Sequence, residues 1–267
     1  DKNAFLLKDG QGDLKGVTYA EFKRDMDALG TSLLKLGLKG KPIALIGENR
    51  YEWCLAYLSV VNGAGVVVPL DKELPLPELE NLLSRSDAAA VVFSGKFSDK
   101  MKEAARSCKS LEYLIDMDAD SDRDGVMSLQ GMVEEGRRLL DEGDAAYSSA
   151  EIDAEVMSML LFTSGTTDLA KGVMLSHKNI CTVITSVCST VYIDSNDSSL
   201  SILPLHHTYE CTIGFLALMY NGGTMCFNDS LKNIARNLKQ YKPTLLVSVP
   251  LILENMYRKI WNQAAKK

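Results

Sequence analysis

Short apolar runs alternate with segments of helical period along most of this chain. That alternation restricts the fold more than any other feature. "PIALIG" (42–47), "VVVPL" (66–70), "AAAVVFSG" (88–95) and "EYLIDM" (112–117) read as strands. Helical segments separate them. One opens at Thr18 with Glu21 three residues on, the signature of a capping box. It carries Phe22, Met26, Leu29, Leu33 and Leu36 on one face and stops at Gly37. Residues 51–65 read as a buried helix ending in glycines, 77–86 as a helix with proline at its start, and 97–108 as another. The second half repeats the scheme, with strands over 156–165, 172–177, 200–205, 223–227 and 244–250 and helices over 178–192, 209–220, 231–241 and 251–261. The strands are apolar on both faces, so helices must cover both sides. The expected class is α/β, with mostly parallel sheets between helices.

Length and charge narrow the function only slightly. A chain of 267 residues with 46% hydrophobic and 24% charged residues can bury an ordinary core, as one large domain or two lobes. The net charge of −6 argues against a nucleic-acid partner, which calls for a basic face. The cysteines form no C-x-x-C pair, and all but Cys108 lie in apolar surroundings, so buried reduced thiols are expected. Asp1–Leu14 is too polar for a signal peptide. The uncharged stretch Cys211–Phe227 is broken by Asn221-Gly222-Gly223 and falls short of a membrane span. The acidic run Asp120-Ser-Asp122-Arg-Asp124-Gly125 matches the first half of a calcium loop. Gly131 stands where that loop needs its bidentate glutamate, so a solvated surface loop is expected.

The stretch "TSGTTDLAKGV" (163–173) carries the most chemistry. Backbone N–H groups on a tight loop, hydroxyl donors and a cation are what a triphosphate needs. Thr163, Ser164, Thr166 and Thr167 supply hydroxyls, Gly165 allows close approach, and Lys171 supplies the charge. A strand leads into the loop and would hold it at a sheet edge, where open α/β sheets take ligands. The competing reading is a Ser/Thr/Gly turn between two strands.

The stretch resembles the T-S-G-T-T-G-x-P-K-G-V signature of adenylate-forming enzymes, with Asp168 in place of the middle glycine and Ala170 in place of the proline. "NGAGVVVPLD" (62–71), "LPLHHTYE" (203–210) and "SVPLILENMYRKI" (248–260) are similar to further segments of that superfamily, most of all in long-chain fatty acyl-CoA synthetases. The resemblance runs from Thr18 to Ile260.

Several expectations follow from the resemblance alone. The parent protein would join a fatty acid to ATP as acyl-AMP, releasing pyrophosphate, and then make the coenzyme A thioester. Thr163, Ser164, Gly165, Thr166, Thr167 and Lys171 would hold the phosphates, with Mg2+ at Thr167. Lys171 and His207 would be the catalytic pair, His207 near the carboxylate. His206 matches no fixed position. Glu210 has no assigned role and reads equally as an exposed first-turn residue. Gly222-Gly223-Thr224 would border the acyl channel, or form a plain turn. The whole chain would be part of the large N-terminal domain, with sub-lobes at 48–197 and at 1–47 plus 198–267, and the C-terminal domain absent. The family's Y-G-x-T-E segment and C-terminal lysine do not occur in it, so this fragment alone is expected to be inactive. A cytoplasmic location is expected, with peripheral membrane contact open because the implied substrates are lipids. Oligomeric state has no signature. Two other readings stay open: another acyl- or amino-acid-adenylating enzyme, and a degenerate protein that binds nucleotide or acyl chains without turnover.

Overall fold

The computed structural model describes residues 2–163 and 170–264. It opens with a hairpin of β1 (Asn3–Lys8) and β2 (Leu14–Thr18) that the polar appearance of the first residues conceals. Only Ala4 and Phe5 of β1 are fully buried, too few to announce a strand. Thr18 then starts α1 (Tyr19–Lys35) with both arms of the expected capping box. The Glu21 N–H donates to Thr18 Oγ1 at 3.1 Å, and the Thr18 N–H to Glu21 Oε2 at 2.8 Å.

The alternation follows as read. β3 (Lys41–Ile46), α2 (Tyr51–Ser59), β4 (Gly65–Pro69), α3 (Leu76–Arg85), β5 (Ala90–Phe93), α4 (Ser98–Ser107) and β6 (Tyr113–Asp116) succeed one another. The end of α2 widens into a π-helical turn over Val60–Ala64. Beyond the acidic run come two elements the reading lacked, β7 (Val126–Ser128) and α5 (Leu129–Asp141). β8 (Met157–Thr163), β9 (Lys171–Ser176), α6 (His177–Thr190) and β10 (Ser198–Ser201) lead to a π-helix over Glu210–Ala217. The rest is α7 (Leu218–Tyr220), β11 (Thr224–Phe227), α8 (Ile234–Tyr241) and α9 (Pro250–Ala264).

Two expected strands are corrected. Residues 244–250 form no strand beyond a single bridge from Leu245 to Ser199. The N–H groups of Thr244 and Leu245 both donate to the Ser198 carbonyl, at 2.9 Å each, which breaks the alternation a ladder needs. The strand expected over 200–205 ends at Ser201; beyond it Pro204 has no N–H to give, and the Leu203 carbonyl and Leu205 N–H bond to the Asn49 amide.

The strands make two sheets. The four-stranded sheet runs β10-β11-β1-β2 and the seven-stranded sheet β7-β6-β5-β3-β4-β8-β9. All neighbours are parallel except β1–β2 and β8–β9. β3 pairs within the larger sheet, across the sub-lobe boundary expected at residue 47. A common core ties the sheets together. The Phe5 ring of the smaller sheet meets Phe22 at 4.8 Å and Tyr51 at 5.3 Å, both edge-on. A second core lies under α3 and α4, around Leu79, Leu83, Phe93 and Met101. Among the described residues no helix is long and apolar enough to cross a membrane.

Candidate active site

Parallel strands bring their C-terminal ends to one rim, and three exits meet there. β4 runs out into Leu70 and Asp71, and β8 ends at Thr163. β10 continues through Leu203-Pro204-Leu205 to His206 and His207. These exits surround a cavity of about 280 Å³. Leu70, Leu74, Leu82 and Phe162 give it an apolar floor, while Asp71, Glu78, Thr163, His206 and His207 are its polar groups.

The candidate phosphate loop joins β8 to β9 at the sheet's edge. Thr163 and Lys171 face each other across the antiparallel ladder, and both are exposed. Ser164, Gly165, Thr166, Thr167 and Asp168 lie outside the described residues. The foot of the hairpin is held from α3: Arg85 Nη1 donates to the Ala170 carbonyl at 2.7 Å, with the guanidinium 5.5 Å from the centre of the Phe162 ring. One side chain therefore touches the strand entering the loop and the residue leaving it.

The two histidines differ sharply. His207, singled out from the sequence, is exposed at the cavity. Its N–H donates to Pro204 O at 3.1 Å, and its carbonyl accepts from the Cys211 N–H at 3.0 Å. His206, matched to no motif position, has a side chain only 10% exposed and shares the cavity. Its Nε2 lies 3.8 Å from Asp71 Oδ2, outside hydrogen-bond reach, and has no partner among the described groups. Burial pushes its pKa down to about 4 against the pull of Asp71, with help from His207 and Lys72. His206 is thus a neutral imidazole at pH 7.

Glu210 corrects the sequence reading. It is not an exposed first-turn residue but 1% exposed at the start of the π-helix. Burial raises its carboxyl to about 7, although a hydrogen bond from Ser201 Oγ to Oε1 at 2.6 Å works the other way. Its Oε2 is buried without a partner among the described residues. Asn49, which the reading passed over, reaches from the loop after β3 to the segment that carries the histidines. Its Nδ2 donates to Ser201 Oγ at 2.8 Å and to Leu203 O at 2.5 Å, and its Oδ1 accepts from the Leu205 N–H at 3.1 Å. Only the motif's own H-T-Y-E ending pointed toward Glu210, and nothing in the sequence pointed toward Asn49.

Other candidates separate from the cavity. Gly222-Gly223-Thr224 forms the turn into β11. Gly222 has φ +74°, and the Gly223 carbonyl accepts from the Tyr19 hydroxyl at 2.7 Å. Just before the acidic run Asp118 pairs with Arg50 at 2.6 Å, and within the run Asp122 accepts from the Ser128 N–H at 2.7 Å. Among the described residues no group of three or more His, Cys, Asp or Glu is placed to hold a metal ion. The cysteines are free, and Cys54, Cys211 and Cys226 are buried as expected. However, Cys181 on α6 is exposed and Cys188 half-buried, whereas Cys108 in its polar segment is buried. Surrounding apolar residues on one helix face do not bury a thiol on another.

Known proteins resemble the chain both in sequence and in fold. The model of the AMP-binding enzyme family matches residues 1–267. The chain is similar to fatty acyl-CoA synthetase B of Dictyostelium discoideum, 24% identical over 97% of this chain and 40% of that protein. It is also similar to long-chain-fatty-acid–CoA ligase 1 of Homo sapiens, 26% identical over 93% of this chain and 37% of that protein. Among solved structures, the anthranilate CoA ligase AuaEII in complex with anthranoyl-AMP superposes with a TM-score of 0.82 at 18% identity. The match covers 94% of this chain and 47% of that one. ATP-bound MatB from Rhodopseudomonas palustris gives 0.75 at 23% identity, over 94% and 48%. The chain therefore spans about two-fifths of the length of the sequence relatives it matches.

Proposed function

Because the chain belongs to the AMP-binding enzymes, we propose that the full-length protein activates a long-chain fatty acid with ATP and passes the acyl group to coenzyme A. The observation that carries this is the meeting of the phosphate-loop foot, Thr163 and Ala170, with His206 and His207 at one cavity. The similar fatty acyl-CoA synthetases and ligases support the fatty acid as substrate and coenzyme A as acceptor.

ATP supplies the adenylyl group: an acyl carboxylate oxygen bonds to the α-phosphorus as the bond to pyrophosphate breaks. The chain's residues position and neutralise. Lys171, with Thr163 opposite it, would hold the β- and γ-phosphates together with Ser164, Gly165, Thr166 and Thr167. Mg2+ enters the proposal through Thr167, which lies outside the described residues. His207, exposed at the cavity, would orient the carboxylate. A neutral His206 places no fixed positive charge beside that carboxylate and so leaves it nucleophilic. The apolar floor of Leu70, Leu74, Leu82 and Phe162 keeps the charges in a poorly screening environment.

Fatty-acid-dependent pyrophosphate release by the full-length protein tests this. Lys171→Ala should raise the KM for ATP about tenfold or more, and His207→Ala should lower kcat about tenfold or more. ATP binding without any release of pyrophosphate would favour a binding protein instead. The 267-residue chain alone is proposed not to complete the reaction, and pyrophosphate release from it would contradict that part.

A further inference from the structure

The segment that carries the histidines leaves its sheet before it reaches the cavity. Pro204 has no N–H, and the Leu203 carbonyl and Leu205 N–H on either side of it belong to buried residues. Left without partners they would be costly. Both bond to one side chain, the Asn49 amide, which comes from the far side of the junction between the two sheets. The amide does what a neighbouring strand would have done, accepting from one backbone group and donating to another. Its orientation follows from its partners, since a carbonyl lies on one side and an N–H on the other.

Asn49 has a second donor hydrogen, and Ser201 Oγ takes it at 2.8 Å. The serine hydroxyl has one proton to give, which goes to Glu210 Oε1 at 2.6 Å. Glu210 thereby turns a serine lone pair toward Asn49. Its carboxyl lies folded against Gly214 four residues on, where a Cβ would stand only 2.9 Å from the carboxyl carbon. The glycine and the widened helical turn make room for a buried acid whose second oxygen has no partner among the described residues. Burying a carboxyl with one oxygen unsatisfied is costly, so its place in the fold calls for a reason.

We propose that Asn49 and Glu210 are positioning residues: the chain Glu210–Ser201–Asn49 fixes the Leu203–His207 segment and so sets both histidines at the cavity. The kinetic part of this inference rests on the acyl-activating reading, whereas the structural part does not. No acyl or nucleotide group touches either residue in this scheme. They act through backbone atoms of the segment they hold.

The test uses the full-length protein and the variants Asn49→Ala, Glu210→Leu and Glu210→Gln. Amide hydrogen exchange at Leu205 should quicken about tenfold in Asn49→Ala and Glu210→Leu, with β5 amides unchanged. Glu210→Gln keeps an acceptor for Ser201 and should stay within about threefold of wild type. In the kinetic arm, kcat for fatty-acid-dependent pyrophosphate release should fall about tenfold in the first two variants while the KM for ATP moves less than about threefold. Unchanged exchange at Leu205 in Asn49→Ala overturns the proposal. So does a Glu210→Gln variant as impaired as Asn49→Ala. If Glu210→Leu fails to fold, Asn49→Ala and Glu210→Gln still decide the matter. If the wild type releases no pyrophosphate, the acyl-activating reading falls, and the exchange measurement judges the positioning residues by itself.

Discussion

Two buried titratable groups near the cavity pull stability in opposite directions with pH. Glu210 has its carboxyl raised from 4.5 to about 7 by burial, with Ser201 Oγ bonded to it and the Cys54 and Cys211 thiols close by. Its contribution is fully present below pH 4.5 and is lost as pH rises toward 7, because the unfolded chain releases the proton first. The shift corresponds to about 3 kcal/mol. His206, facing Asp71, His207 and Lys72, is lowered from 6.5 to about 4. Its contribution is fully present above pH 6.5 and is lost as pH falls toward 4. Between pH 4.5 and 6.5 the two slopes oppose each other. Glu210→Gln should therefore leave stability rising with pH across that window, and His206→Asn should leave it falling. Denaturant midpoints measured at steps of pH would show this, and identical slopes in both variants would refute it. At the same scale, Asp168 places a carboxylate in a loop proposed to hold a triphosphate, so Asp168→Gly should lower the Kd for ATP in a calorimetric titration. Unchanged or weaker affinity would place that carboxylate away from the phosphates. His207 was legible because its motif is local. Glu210 and His206 were not, because whether a polar side chain is buried depends on packing from other elements.

Helix α5 shows what element-scale reading can miss. Leu129, Met132, Val133, Gly136 and Leu139 are its buried residues, at helical spacing. That spacing is local and lies in the sequence just past the acidic run. Gly136 is where α5 crosses α1, and a Cβ there would lie 1.9 Å from the Ala28 carbonyl oxygen. Gly136→Ala should cost about 1–3 kcal/mol through overpacking, measured by denaturant unfolding, despite alanine's better helix propensity. A neutral or stabilising outcome would mean that the helices separate easily. The hairpin that bears the phosphate loop invites a second test. Arg85 bonds Ala170 and covers Phe162, so Arg85→Ala should raise the KM for ATP several-fold, with kcat much less affected. An unchanged KM would leave Arg85 as a surface residue only. The apparent strand at 244–250 failed for the opposite reason. Its apolar composition suits a strand, but the convergence of the Thr244 and Leu245 amides on the Ser198 carbonyl is a tertiary contact with no local signal.

At the scale of the whole molecule, the α/β class and the parallel order were legible because two-sided apolar strands admit few alternatives. The pairing of β1 beside β11 was not, since it joins residues more than two hundred positions apart and has no local signal. Family membership was legible in "TSGTTDLAKGV" even with Asp168 and Ala170 in it. The site itself was legible only by its parts: the loop and His207 could be named, but the cavity uniting Thr163, Asp71, His206 and His207 exists only once the strand exits converge. The central claim is that the acyl carboxylate attacks the α-phosphorus of ATP. Feeding the full-length protein a fatty acid labelled with heavy oxygen in its carboxylate, then weighing the nucleotide product after thioester formation, tests it most directly. One labelled oxygen is expected in AMP and none in pyrophosphate. Label in inorganic phosphate with ADP as the nucleotide product would contradict it.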